Sequence, residues 1–251
     1  MSLARVDRFG LLDHVFASLA AGRGGWVVTA NLDILRRHAV DPAARALYDA
    51  ADVRVADGMP LVWASGLQGD RLPERVAGSS LLWLLAERAA AERRSIYFLG
   101  GAPTQVNERC REVLRERWPA LRILGGASPQ ISADPQPAEV TPLRDQLQTL
   151  APDLLLVGLG SPKQEQLIRQ LRPALPRTWM IGVGISFSFV SGDVRRAPLW
   201  MQRVGLEWMH RLAQQPGRLA RRYLVDDLPF AARLMGRALS RRAGRLRSTR
   251  A

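Results

Sequence analysis

Three short stretches carry side chains suited to chemistry. Asp57 stands in Ala56-Asp57-Gly58, directly after a brief apolar segment at 53–55. Thr29 and Asn31 close the apolar run that begins at Trp26. Gln164 and Glu165 follow Gly158-Leu-Gly160-Ser-Pro-Lys163, which ends the apolar run 154–157. A carboxylate at a strand end can take a proton from an attacking hydroxyl. A glycine turn running into a helix N-terminus can cradle an anion. Each stretch also has a plainer reading: Asp-Gly pairs form turns, and Asn31 is equally suited to cap the next helix. Strand-glycine-helix is likewise an ordinary βα turn. Ser161-Pro162 is expected to open the helix, serine as cap and proline at the first position.

Such side chains need a scaffold. Predicted strands at 26–29, 53–55, 95–99, 121–124, 154–157 and 179–181 alternate with helical patterns. The first helix, 5–20, carries Phe9, Leu12, Val15, Phe16 and Leu19 on one side. The alternation from 26 to 184 predicts an α/β fold, a mostly parallel sheet flanked by helices on both faces. Gly100-Gly101, Gly125-Gly126, Gly158-Leu-Gly160 and Gly182-Val-Gly184 all follow predicted strands, so four glycine turns are expected at one sheet edge. None has the G-x-G-x-x-G form, and Lys163 lacks the spacing and hydroxyl of a P-loop.

Charge divides the chain. Of a net +13, the segment 195–251 holds +11: fourteen arginines against Glu207, Asp226 and Asp227. We therefore expect an α/β catalytic domain over 1–194 and a basic, amphipathic helical C-terminal appendage over 195–251. An arginine-rich segment implies an anionic partner. Arginine interleaved with tryptophan and leucine suits the surface of an anionic bilayer, and Trp200, Trp208, Arg211, Arg218, Arg237 and Arg241 are the expected contacts. The rivals are a nucleic-acid clamp, against which the tryptophans sit among aliphatics rather than as stacking platforms, and plain packing or a homo-oligomer contact.

Other chemistries find little support. The single cysteine, Cys110, excludes a disulfide scaffold or thiolate zinc cluster. His14, His38 and His210 have no metal-ligand spacing, no Asp-x-Asp follows a strand, and G-x-S-x-G is absent. Neither a secretory leader nor a membrane span is expected. An anion-friendly sheet edge with one aspartate and no metal or other cofactor fits group transfer from an activated phosphate donor.

Thr29-x-Asn31, Ala56-Asp57-Gly58, Arg75-Val-x-Gly78, Phe98-Leu-Gly-Gly101, Gly158-Leu-Gly-Ser-Pro-Lys-Gln-Glu165, Gly182-Val-Gly184 and Arg196-Ala-Pro-x-Trp-Met201 with Gly205-Leu-Glu-Trp208 together resemble the WecG/TagA/CpsF glycosyltransferases, glycosyltransferase family 26. The resemblance implies an inverting, metal-independent transferase peripheral to the cytoplasmic face of the inner membrane. It would move a hexose from a UDP-sugar to a polyprenyl-diphosphate-linked sugar in bacterial surface polysaccharide synthesis. By that likeness Asp57 is the general base, ionised at an ordinary pKa near 4, with Thr29 and Asn31 beside it. The likeness also implies that Arg75, Gly101, Gly160, Gln164 and Gly184 line the substrate pocket. Arg195, Arg196, Arg203, Arg221 and Arg222 are candidates for the diphosphate. Family members often carry aspartates where this chain has Ser80 and Ser188. Both changes remove a carboxylate, and the pattern resembles the branch adding β-1,4-linked glucose rather than N-acetylmannosamine or its uronate. The alternative outside the family is a non-enzymatic, nucleic-acid-binding α/β protein.

Overall fold

The computed structural model describes residues 1–248, with side chains through residue 242. The chain runs α1 (Arg8–Ala20), β1 (Gly25–Ala30), α2 (Leu32–Val40), α3 (Pro42–Asp49), β2 (Val53–Ala56), α4 (Met59–Leu67), α5 (Gly78–Ala91) and β3 (Ser95–Gly100). It continues through α6 (Thr104–Arg117), β4 (Arg122–Ala127), α7 (Pro137–Leu150), β5 (Leu154–Gly158), α8 (Lys163–Leu171), β6 (Trp179–Gly182) and α9 (Ser186–Ser191). Four helices close it: α10 (Leu199–Arg203), α11 (Glu207–Gln214), α12 (Pro216–Ala220) and α13 (Leu228–Ser248), with a π-helical stretch, Arg221–Asp227, between the last two.

The six strands form one parallel sheet in the order β2-β1-β6-β5-β3-β4. Burial on both faces explains why β3 and β5 read as unbroken apolar runs rather than alternating ones. One core lies under α1, α5, α6 and α9, the other under α2, α3, α4, α7 and α8. The chain leaves β3 for α6 on the first face and leaves the neighbouring β5 for α8 on the second. Adjacent strands whose connections diverge open a crevice at their carboxyl ends, the usual ligand position of such sheets.

Some local expectations change. Phe9 is 61% exposed; α1 begins only at Arg8, capped by Asp7, and buries Leu11, Leu12, Val15, Phe16 and Leu19. Gly125-Gly126 is no turn. It lies inside β4, after an irregularity in pairing with β3, and Gly126 packs so closely that a Cβ would lie 2.3 Å from Asn107 Oδ1. Ser161 does not cap a helix. α8 starts at Lys163, the Ser161-Pro162 peptide is cis, and the Ser161 hydroxyl lies 3.0 Å from Tyr48 Oη.

The C-terminal helices fold back over the carboxyl edge of the sheet. α13 packs along α4 and touches α2, and the π stretch lies against α2. Leu219 and Ala238 are fully enclosed; a leucine so buried contributes about 1.5–3 kcal/mol relative to exposure. Charged side chains also meet across the contact. Asp33 of α2 accepts from Arg36 and Arg37 and lies 3.5 Å from Arg222, while Asp227 lies 3.5 Å from Arg36 and 3.7 Å from Arg222.

Candidate active site

Strand register brings the expected side chains together. Ala30 pairs with Ala56, so Asn31 and Asp57 emerge side by side, and the Asp57 N–H donates to Ala30 O at 2.8 Å. Val157 pairs with Gly182 and Gly100 with Gly158, which sets the turns after β5, β6 and β3 beside them. Between this edge and the C-terminal helices lies a cavity of about 1090 Å³. Thr29, Asn31, Asp57, Arg75, Gly101, Gly160, Gln164 and Gly184 all reach its wall. Gly101 has φ +76°, and a Cβ there would come within 2.6 Å of Phe187, so only glycine fits that turn.

Asp57 is the carboxylate at the centre of this edge. Its Oδ2 accepts weakly from the Gly78 N–H at 3.3 Å. Burial raises its pKa above the ordinary aspartate range, with Glu207 pushing the same way; Arg75, the Gly78 amide and Arg211 oppose but do not cancel the shift. The ordinary pKa expected from sequence therefore gives way to a raised one. Removal from water, which no residue type announces, is the cause.

The polar side chains around it mostly hold the loops. Thr29 Oγ1 donates to Gly182 O at 3.1 Å, tying β1 to β6. Asn31 Oδ1 accepts the Ile34 N–H at 3.0 Å, so it caps α2 as well as facing the cavity. Gln164 is buried and bridges two turns, its Oε1 accepting from the Gly184 N–H and its Nε2 donating to Glu165 Oε1 at 2.8 Å. Glu165 lies behind it, fully enclosed, with burial raising its pKa and Oε2 lacking a hydrogen-bond partner.

The basic segment supplies the opposite wall. Arg211, Gln215, Arg218 and Arg222 reach the cavity from α11, the non-helical junction after it, α12 and the π stretch, and place an arginine stripe on this wall. Among the described residues neither Arg211 nor Arg218 has an ion-pair partner, and the buried Nε of Arg211 makes no hydrogen bond. Burial lowers the Arg218 pKa, and nearby Arg211 lowers it further. Arg222, the third arginine of this wall, is paired with Asp33 and Asp227. Trp208 also turns to the cavity, edge-on to Tyr223 at 5.9 Å between ring centroids.

Other arginines lie elsewhere. Arg195, Arg203 and Arg221 are exposed away from the cavity wall, as are Trp200, Arg237 and Arg241. Arg196 is half-buried behind the site, donating to Ser80 Oγ at 2.8 Å. Sequence reasoning assigned no role to Glu207, which accepts from Arg75 Nη1 at 2.8 Å and lines the cavity. A signal existed: it is the lone acid among the seven arginines between 195 and 225. Asp33, the buried anchor of Arg222, gave none. Among the described residues no three His, Cys, Asp or Glu side chains converge as metal ligands, and no helix is long and apolar enough to cross a membrane.

An aspartate at the crevice thus faces guanidinium groups, two of which, Arg211 and Arg218, have no ion-pair partner among the described residues. Residues 1–244 match the Glycosyl transferase WecG/TagA/CpsF family. The chain belongs to this family. It is also similar to the N-acetylglucosaminyldiphosphoundecaprenol N-acetyl-beta-D-mannosaminyltransferase of Bacillus spizizenii, at 32% identity over 203 residues, 81% of this chain and 76% of the relative. This WecG/TagA/CpsF member is thus a glycosyltransferase, built on a six-stranded parallel sheet with its cavity closed by C-terminal helices.

Proposed function

We propose that this glycosyltransferase moves a hexose from a UDP-sugar to a sugar carried on a polyprenyl diphosphate, inverting the anomeric carbon, with Asp57 as general base. The observation that carries the reading is a single cavity with the half-buried carboxylate of Asp57 on one wall and, on the other, Arg211 and Arg218, which have no ion-pair partner among the described residues. The acceptor hydroxyl oxygen bonds to the anomeric carbon from the face opposite UDP. The bond from that carbon to the diphosphate oxygen breaks, UDP leaves with the bonding pair, and Asp57 takes the hydroxyl proton. A raised pKa makes Asp57 a stronger base once ionised. Arg211, Arg218 and Arg222 supply the charge that offsets the departing diphosphate.

Glucose, β-1,4-linked, is the proposed donor sugar. Ser188 faces the cavity and Ser80 accepts from Arg196, so neither position offers a carboxylate to the sugar. The relative's name supports a second reading, N-acetylmannosamine added to N-acetylglucosaminyl-diphosphate-lipid. Exposed Leu199, Trp200, Val204, Leu224 and Val225 with Arg195, Arg203 and Arg221 support peripheral docking on the anionic cytoplasmic face of the membrane.

The test gives the full chain UDP-glucose or UDP-N-acetylmannosamine with glucosyl- or N-acetylglucosaminyl-diphosphate-undecaprenol. UDP release and product mass are then read. Transfer from UDP-glucose is expected. Transfer from UDP-N-acetylmannosamine alone selects the second reading. No transfer from either, together with tight and salt-sensitive binding to nucleic acid, removes both.

A further inference from the structure

The cavity has an arm that sugar and diphosphate chemistry leaves unused. It is lined by Met59 and Trp63 of α4 and by Leu228, Ala231, Ala232 and Met235 of α13. The α13 residues recur at the i, i+3, i+4, i+7 spacing that gathers them on one face, and Met59 and Trp63 are one turn apart on α4. An apolar stripe of this kind ordinarily closes against a neighbour. Here α13 packs along α4, yet Leu228 is 54% and Trp63 44% exposed, and Ala232 is open as well. α4 carries no charged residue at all.

Trp63 is held in place from behind. Gly205 comes so near that a Cβ there would lie 2.9 Å from the Trp63 ring. The indole is therefore a fixed wall of the arm. Ala231 and Ala232 opposite it are the smallest side chains that keep an apolar surface, and they leave the channel its width.

The geometry points to a lipid track: the α4–α13 arm receives the first isoprenoid units of the acceptor's polyprenyl chain. This rests on the acceptor class proposed above. One acceptor molecule accounts for carboxylate and apolar surface in the same cavity, with its sugar at Asp57 and its hydrocarbon against Trp63 and Ala232. Volume argues the same way. Small-molecule pockets hold roughly 300–1,000 Å³, so a cavity of about 1090 Å³ has room for more than the donor alone. The track opens beside exposed Leu224, Val225 and Leu228, apolar surface suited to the bilayer from which such a chain is drawn.

The experiment compares two acceptors of the same sugar diphosphate, one with an undecaprenyl chain and one with a dimethylallyl group, in detergent micelles. Wild-type protein and Ala232→Phe are assayed with each. Residue 232 is open to solvent, so the larger side chain narrows the arm without entering the core. Ala232→Phe is expected to raise KM for the long acceptor about tenfold more than for the short one, the loss of a few buried methylenes. In wild type, farnesyl diphosphate is expected to inhibit more strongly than inorganic diphosphate, and Trp63→Ala to erase that difference. Equal shifts for both acceptors, or equal inhibition by the two diphosphates in wild type, overturn the track and leave the transferase reading intact. Absence of transfer to either acceptor by wild type overturns the transferase reading itself.

Discussion

Arg75 Nη1 donates to Glu207 Oε2 at 2.8 Å, joining the segment before α5 to the first turn of α11 beside Asp57. Both partners are mostly buried, at 16% and 13% side-chain exposure, so the pair is shielded from solvent screening. Its effect on the site is asymmetric. Alone, Arg75 would draw the Asp57 pKa down; paired, its charge is answered by Glu207, which itself pushes Asp57 up. The C-terminal helices therefore do more than roof the cavity. They help set the proton affinity of the carboxylate across from them.

Replacing Asp57 with Asn tests its role most directly. The amide keeps the shape and cannot take a proton, so turnover should fall by about two decades or more, the range associated with a lost general base. UDP binding, measured by calorimetry, should stay near the wild-type value because the arginine wall is untouched. Retained turnover would remove Asp57 from the base role.

The pH profile carries a second consequence. Asp57 acts only when ionised, so kcat/KM should fall on the acid side with an apparent pKa above the ordinary aspartate range. Glu207→Gln removes a charge that raises Asp57 and frees Arg75 to lower it. Both changes have the same sign, and the acid limb should move to lower pH. A profile that stays put, or moves up, would show that Asp57 does not govern this limb.

How legible was this site? Alternation of apolar runs and helical patterns was enough for the parallel sheet, because β-α units leave a strong periodic trace and their crossovers have one hand. That Asp57, Thr29, Asn31 and Gln164 lie along one cavity was readable because strand ends are readable, and register did the rest. What could not be read were side chains set by long-range packing. Arg196 and Arg222 look alike in sequence; one lies behind the site against Ser80 and the other faces the cavity next to Asp33. Trp200 and Trp208 likewise diverge, one exposed and one turned to Tyr223. Helix phase decides each, and the breaks at Gly205, Pro216 and the π stretch reset that phase in a way composition does not record.

The arginine stripe should act on the reaction rather than on folding. Arg211 has a buried Nε with no partner, so Arg211→Ala removes charge without stranding a counter-ion. We expect kcat/KM to drop by about 10²-fold, comparable to loss of one donor to a developing anion. Arg211→Lys should recover only part of it, since an ammonium lacks the planar fork. Arg218 is exposed, and Arg218→Ala should cost less. Steady-state kinetics with the thermal midpoint as a control separates these outcomes. A large fall in the midpoint without a matching kinetic loss would make the stripe structural.

Docking of the C-terminal helices should respond to acid through Asp227. Burial, the largest influence, and adjacent Asp33 push its carboxyl up to about 6, despite Arg222 and Arg36 nearby. With the helices released, the same group titrates near the ordinary value of about 4. The docked state thus binds more protons between these two values, and docking strengthens as pH falls through about 6 and weakens as pH rises through it. Hydrogen exchange of α13 amides, corrected for intrinsic rates between about pH 5 and pH 7, should show greater protection at the acid end. Asp227→Asn carries no charge to bury, so its docking at neutral pH should tighten and this part of the pH response should vanish. An unchanged slope in the variant would assign the response to another group, with Asp57, also raised by burial and also facing these helices, the next to replace.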